Sequence, residues 1–256
     1  MRHARTTRTL GLLLLVATAA YGTTLVPDSS ILPARLETSI SSKNAKVGEL
    51  IRARIMQAVP LLGDATTPAG SILTGKVTAV QAANGGEGGS LAFRLDTLHV
   101  AHENVLLTLR LRAIASDQEV RQAQLPRNSD PTASSNSWTT VQIGGDVVYR
   151  GGGPVRNRSG VVGKPVEGGV LVRLDSNPAR GCRNDGTGER AQALWLFSSD
   201  ACGTYGLPDV TIVPADHNAP ADATGEITLK SAKGNLVLRS GSGLLLRVVN
   251  PGFPGP

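Results

Sequence analysis

The residues of this chain best equipped for chemistry gather in the run from Gly181 to Gly206, GCRNDGTGERAQALWLFSSDACGTYG, which holds both cysteines and three of the eight aromatic residues. Cys182 and Cys202 have no histidine beside them, so a thiolate nucleophile lacks its base. In an exported chain two such cysteines form one disulfide, and the loop it closes would stabilise the fold by roughly 3 kcal/mol in the chain-entropy account. Trp195 and Phe197 stand two apart and share one face if the segment is a strand, with Leu194 and Leu196 on the other. A strand apolar on both faces belongs to a core. Displayed at a surface, the same pair would be a platform for a sugar ring or a partner's apolar side chain, framed by Tyr205, Asp200, Asn184 and Asp185.

Other constellations carry less. Asp200 and Asp209 could converge as a glycosidase pair, which makes a secreted carboxylate-dependent hydrolase with its site near Asp200 the rival reading; a cleft with two carboxyl groups about 5 to 10 Å apart would mark it. Gly241-Ser242-Gly243 is too short for a nucleophile elbow and runs on into a strand. His99 and His102 would share a face on a helix, but the flanking alternation makes this a strand end, where residues three apart point to opposite sides. His217 reads as a solvated turn residue. The glycine loop at 82–89 is followed by period-two alternation instead of a helix, so it is a hairpin loop and not a phosphate cradle. Arg52, Arg54, Arg94, Arg110 and Arg112, on one outer face, would form a basic stripe for an anionic envelope polymer. No catalytic residue, no metal site and no cofactor is expected.

The elements that must position these residues are strands. Leu91, Phe93 and Leu95 alternate with Arg94 and Asp96; Val105, Leu107, Leu109 and Leu111 alternate with Thr108, Arg110 and Arg112. Further strands are expected near 31–40, 51–55, 73–80, 169–174, 193–197 and 210–213. The closing run GEITLKSAKGNLVLRSGSGLLLRV reads as a three-strand meander with Ile227, Leu229, Leu236, Leu238, Leu244 and Leu246 inward. Between Tyr149 and Gly169 glycine and proline predominate, and a loop is expected. Thirty glycines and fifteen prolines dispersed among apolar runs suit many tight turns, and aromatics at 3% leave the core to Leu, Val, Ile and Ala.

At the N-terminus, MRHARTTRTLGLLLLVATAAYG has the basic start, short apolar centre and small residues of a secretory signal peptide over 1–22. Without Arg2, Arg5 and Arg8 the 26 basic residues become 23 against 20 acidic ones, so the formal charge falls from +6 to +3. With no run of lysine or arginine, a nucleic-acid partner is not expected. No later apolar run has the length of about 18 residues that a transmembrane helix needs.

Two stretches carry a resemblance. LPARLETSISSKNAKVGELIRARI and TPAGSILTGKVTAV resemble a β module of exported bacterial proteins of uncharacterised function. Pro68, Gly70, Ser71, Leu73 and Gly75 are similar to a turn-and-strand in the outer-membrane β-barrel channel subunit of type IV secretion systems, over a small part of the chain; this implies a strand there and no channel activity. ALWLFSSDACGTYGLPDV and GSGLLLRV likewise resemble uncharacterised secreted bacterial proteins.

The expectation is therefore an all-β chain of two antiparallel domains: a small barrel or sandwich over 27–115, a linker at 116–137 with a helical turn at 118–124, a sandwich over 138–250 pinned by Cys182–Cys202, and a tail at 251–256. Its expected role is non-catalytic, binding or structural, in the periplasm, at the cell envelope or outside the cell, with an envelope polysaccharide or another exported protein as partner.

Overall fold

The computed structural model describes residues 26–61, 66–125, 139–145, 147–149, 153–157, 160–175, 190–213 and 225–249. In chain order the strands are β1 (Ile31–Leu36), β2 (Ile40–Ser41), β3 (Leu50–Ile55), β4 (Val59–Pro60), β5 (Thr66–Thr67), β6 (Ile72–Gln81), β7 (Ser90–Val100), β8 (Glu103–Leu106) and β9 (Leu109–Ala115), followed by helix α1 (Asp117–Gln124). Next come β10 (Thr139–Val141), β11 (Val147–Tyr149), β12 (Val155–Asn157), β13 (Gly160–Val166), β14 (Gly169–Val172) and β15 (Gln192–Ala193). The last are β16 (Gly203–Tyr205), β17 (Val210–Val213), β18 (Ile227–Ser231), β19 (Val237–Leu238) and β20 (Gly243–Val248). The protein is all-β in class, as its alternating patterns predict.

A ten-stranded sheet runs in the order β16-β9-β20-β1-β3-β6-β7-β18-β17, with β8 also on β7. Its pairings are antiparallel except β16 on β9, which is parallel. Where β6 meets β7 the register shifts between Thr74 and Gly75 and again between Val77 and Ala79, irregularities that bend a sheet. A Cβ on Gly75 would fall 1.8 Å from the Arg94 carbonyl oxygen, so only glycine lets the two strands meet there. The far edge of β7 is shared, with β18 along residues 90–93 and β8 along 97–100. β8 leads directly to β9, and the Leu107 N–H donates to the Asp96 carbonyl at 2.8 Å. The outermost strands β16 and β17 are joined by a turn at 206–209, and the Thr204 hydroxyl donates to the Val210 carbonyl at 3.1 Å. The sheet thus curls into a nearly closed barrel.

Alternation decides what fills it. Leu32, Ala34 and Leu36 of β1, Ile51, Ala53 and Ile55 of β3, Leu91, Phe93 and Leu95 of β7, and Leu244, Leu246 and Val248 of β20 point inward and are buried together. The inward set expected from the closing run is present in full, but its strands form no meander: β18 pairs with β7 and β17, β19 with β2, and β20 with β1 and β9. The opposite faces of β1, β9 and β20 are buried too. Ile31, Ala113, Ala115 and Leu245 form a second core with Val120 and Ala123 of α1 and with Val155, Val170, Val172, Leu194, Trp195 and Phe197. Helix α1 is placed by its cap: the Ser116 hydroxyl accepts the Glu119 N–H at 3.2 Å, and Asp117 and Glu119 sit in the first turn.

The partner across this second core is a six-stranded sheet in the order β10-β11-β12-β13-β14-β15. The division into domains 27–115 and 138–250 is not the one the pairing follows. Strands β16, β18 and β20 lie after the 116–137 segment and pair with β9, β7 and β1 before it, with β17 added at the edge of β18, while the second sheet draws on the stretch from β10 to β15 alone. A helix occupies 117–124 where a helical turn was expected. The loop expected between Tyr149 and Gly169 contains β12 and β13, because glycine and proline at strand positions weaken a strand without forbidding it.

Two buried glutamines join the layers. Gln57 donates from Nε2 to the Val170 carbonyl at 2.8 Å, and its Oε1 accepts the N–H groups of Val170 at 3.2 Å and Trp195 at 2.7 Å. Gln192 Oε1 accepts the Ile31 N–H at 3.1 Å. Each amide satisfies backbone groups that the layered arrangement would otherwise strand away from water.

Candidate functional site

Of the strand expected at 193–197 only Ala193 is one, at the end of β15, and the chain turns after it. Trp195 adopts a left-handed backbone conformation with φ 54°, and the Phe197 N–H closes the turn on the Leu194 carbonyl at 2.9 Å. Such a φ costs a bulky residue about 1–2 kcal/mol. Its N–H is held by Gln57, and its neighbour across the backbone is Gly169, where any Cβ would fall 2.8 Å from the Trp195 Cα. The chain then bridges to Ile143: the Ile143 N–H donates to the Leu196 carbonyl and the Ser198 N–H to the Ile143 carbonyl, both at 2.8 Å. Trp195 is 4% exposed and Phe197 fully buried, so these two side chains form core and display no platform.

The polar residues that follow surround a buried arginine. Arg112 is 3% exposed; its Nε donates to the Ala201 carbonyl at 2.9 Å and its Nη2 to the Asp175 carbonyl at 3.4 Å. Burial pushes the guanidinium down to about 10, and Arg247 pushes the same way, while Tyr205, Asp175 and Asp200 act against both. Around it Asp200 accepts from the Ser198 hydroxyl at 2.6 Å, the Asp175 N–H donates to the Ser199 carbonyl at 3.0 Å, and Asn157 donates to the Ser199 hydroxyl at 3.3 Å. The Tyr205 hydroxyl oxygen accepts the Cys202 N–H at 3.0 Å. The structure therefore gathers Asp200, Tyr205 and Cys202 around Arg112, with Asp175 as the carboxylate the sequence did not single out. Asn184, Asp185, Cys182 and His217 lie outside the described residues.

The basic stripe does not form. Arg112 is taken under the second sheet because β9 has two buried faces. Arg52 and Arg54 converge on one carboxylate, Glu37, at 3.5 and 2.6 Å. Arg110 stands opposite Arg247 on β20, and Arg94 opposite Lys76 on β6. His99 fastens the β7–β8 hairpin between Thr74 at 2.8 Å and Asn104 at 2.6 Å. Among the described residues no group of three His, Cys, Asp or Glu side chains is placed to hold a metal ion.

A groove of about 560 Å³ lies between the second sheet and β4. Lys164 of β13 shares a face with Leu171 and Arg173; Val170 and Val172 turn into the second core, against which Val162 also packs in part, and Leu171 packs against the barrel core. Lys164 stands directly across from Leu171, and the Arg173 N–H donates to the Val162 carbonyl at 3.1 Å. Pro60 and Leu61 form the opposite wall, and Arg190 and Ala191 complete the lining. Lys164 and Arg173 are exposed and have no acidic partner among the described residues; Arg190 donates to the Ser30 hydroxyl at 2.8 Å. Three cations over an aliphatic floor, with no carboxylate among the described lining residues, suit an anion with apolar parts. The sequence held a signal for this site in V-x-K and L-x-R, hidden by Gly160, Gly163, Pro165 and Gly168. Compared with protein families, with curated proteins and with solved structures, the chain finds no match.

The arginines divide by burial into testable classes. Because burial lowers the Arg112 guanidinium, the unfolded chain holds this proton more tightly; the cost of burying the charge is present at every pH below about 10 and fades only above it. Its bonds to Ala201 and Asp175 offset that cost, so Arg112→Met, which removes the donors, is expected to lower stability by about 3 kcal/mol in urea unfolding, little affected by salt. Arg52→Ala, at an exposed pair, is expected to change it by under about 0.5 kcal/mol. Equal effects of the two substitutions would contradict the assignment.

Proposed function

We propose that the chain is an exported, non-catalytic binding module of the cell envelope or extracellular space, and that it grips an anionic partner in the groove formed by β13, β14 and β4. The observation that carries the reading is the pair of exposed cations, Lys164 and Arg173, set among aliphatic side chains and lacking an acidic partner among the described residues. Envelope polysaccharides and other exported proteins both supply anions. Export is proposed from the signal peptide at 1–22. The rival reading, a hydrolase near Asp200, has less behind it: Asp200 accepts from Ser198 and lends its charge to Arg112, which makes it a counter-ion in a packed layer. The resemblance to exported bacterial β modules accords with a module and adds no activity.

Lys164→Glu with Arg173→Glu is expected to weaken retention on an immobilised polyanion at least about tenfold at low salt, with the melting temperature nearly unchanged, while Arg52→Glu with Arg54→Glu leaves retention close to wild type. Retention that follows Arg52 and Arg54 would move the site to the barrel wall and sink the proposal.

The Cys182–Cys202 disulfide belongs to the same proposal. Cys202 is 1% exposed at the end of the loop that packs on Arg112, and a bond to Cys182 would tie down the chain between β14 and β16. Thiol titration of denatured, unreduced secreted protein is expected to find no free thiol; two per chain would refute the bond.

A further inference from the structure

Resting on the reading of the groove as an anion site, we infer that its occupant is an extended protein segment in which acidic and aliphatic residues alternate, and not a polysaccharide. Lys164 and Arg173 occupy diagonal positions on paired antiparallel strands: Lys164 is across from Leu171, and Arg173 is two residues further along the same strand face. Diagonal positions of this kind lie about 7–8 Å apart at the backbone. An extended peptide repeats on one face every two residues, about 6.6–6.8 Å, so carboxylates at successive same-face positions match the two cations. The side chains between them point the other way, and the groove lining supplies aliphatic surface in the half-buried Pro60 and the edge of the barrel-core residue Leu61. Val162 and Leu171, half-buried against the second core and the barrel core, add aliphatic surface to the same lining.

The lining disfavours a sugar polymer on its own chemistry. No aromatic ring lines the groove among the described residues, so there is no flat apolar face on which a pyranose could stack. The neighbouring aromatics, Trp195 and Phe197, are consumed by the second core. A polyanionic sugar chain would be held by charge alone, and two or three exposed cations hold a flexible polymer weakly once salt screens them. A peptide adds burial of aliphatic side chains to the same ion pairs, and that contribution survives salt.

The test uses the purified chain and four probes: a fluorescein-labelled peptide of alternating aspartate and valine, the same peptide with asparagine for aspartate, the same with serine for valine, and a labelled polyuronate of similar length. Fluorescence polarisation at about 150 mM salt is expected to rank the aspartate–valine peptide at least about tenfold above the other three. Lys164→Glu with Arg173→Glu is expected to abolish that preference in protein whose circular dichroism is unchanged. Equal or tighter binding of the polyuronate, lost on the same charge reversal, would overturn the peptide assignment and leave the anion groove standing. Failure of all acidic probes to respond to the charge reversal would overturn both.

Discussion

Strands β1, β9 and β20 have no solvent face, and the rest of the molecule is arranged to supply what covers them. On one side their alternating residues fill the barrel with Leu32, Leu244 and Leu246; on the other, Ile31, Ala113 and Leu245 must also leave water. Removing both faces of three adjacent strands from water is worth on the order of 25 cal/mol for each square ångström of apolar surface, and it requires a second layer. The sheet from β10 to β15 and helix α1 are that layer. Covering a strand so completely also traps whatever polar group projects from it. Arg112 on β9 is such a group, and the loop at 198–202 together with Asp175 surrounds it with carbonyls and nearby carboxylates.

The same constraint explains why the aromatic residues end inside. Trp195 and Phe197 belong to the turn that closes the second layer over Ile31 and Leu245, and Gln57 and Gly169 hold that turn in a conformation that tryptophan otherwise avoids. With aromatics and Asp200 committed to packing, the open concave surface falls on the other face of β13 and β14. There Lys164 and Arg173 project from the very strands whose alternate residues, Val170 and Val172, anchor the layer. The groove lies between the second sheet and β4, which pairs with β5 in a small sheet of its own.

What could be read from the sequence follows from how local each signal is. Alternation in Leu91–Leu95 and Val105–Leu111 is a property of adjacent residues, and those side chains turn inward as expected, Val105 packing only partly buried against the barrel core. Leu245, a leucine between two inward leucines, calls for a second apolar surface, as does Ile31 before Leu32. Pairing of β1 with β20 spans most of the chain and leaves no local trace, so a segment poor in apolar residues at 116–125 reads as a linker while it caps the seam. Trp195 and Phe197 are not a strand pair because the turn they sit in is fixed by groups far away in sequence, the buried Oε1 of Gln57, Gly169 and the bridge to Ile143. Glycine and proline mask the alternation of β13, and with it the groove.

Joined through β1, β9 and β20, barrel and second layer are expected to unfold as one cooperative unit. With Trp138→Phe, Trp195 becomes the single tryptophan and reports the second core alone. Urea unfolding of that variant followed by Trp195 fluorescence and by far-ultraviolet circular dichroism, which weighs the barrel most heavily, should give coincident transitions with one midpoint. A tryptophan transition completed at lower urea, with most of the β signal intact, would show a barrel that stands without its cover and would contradict the account.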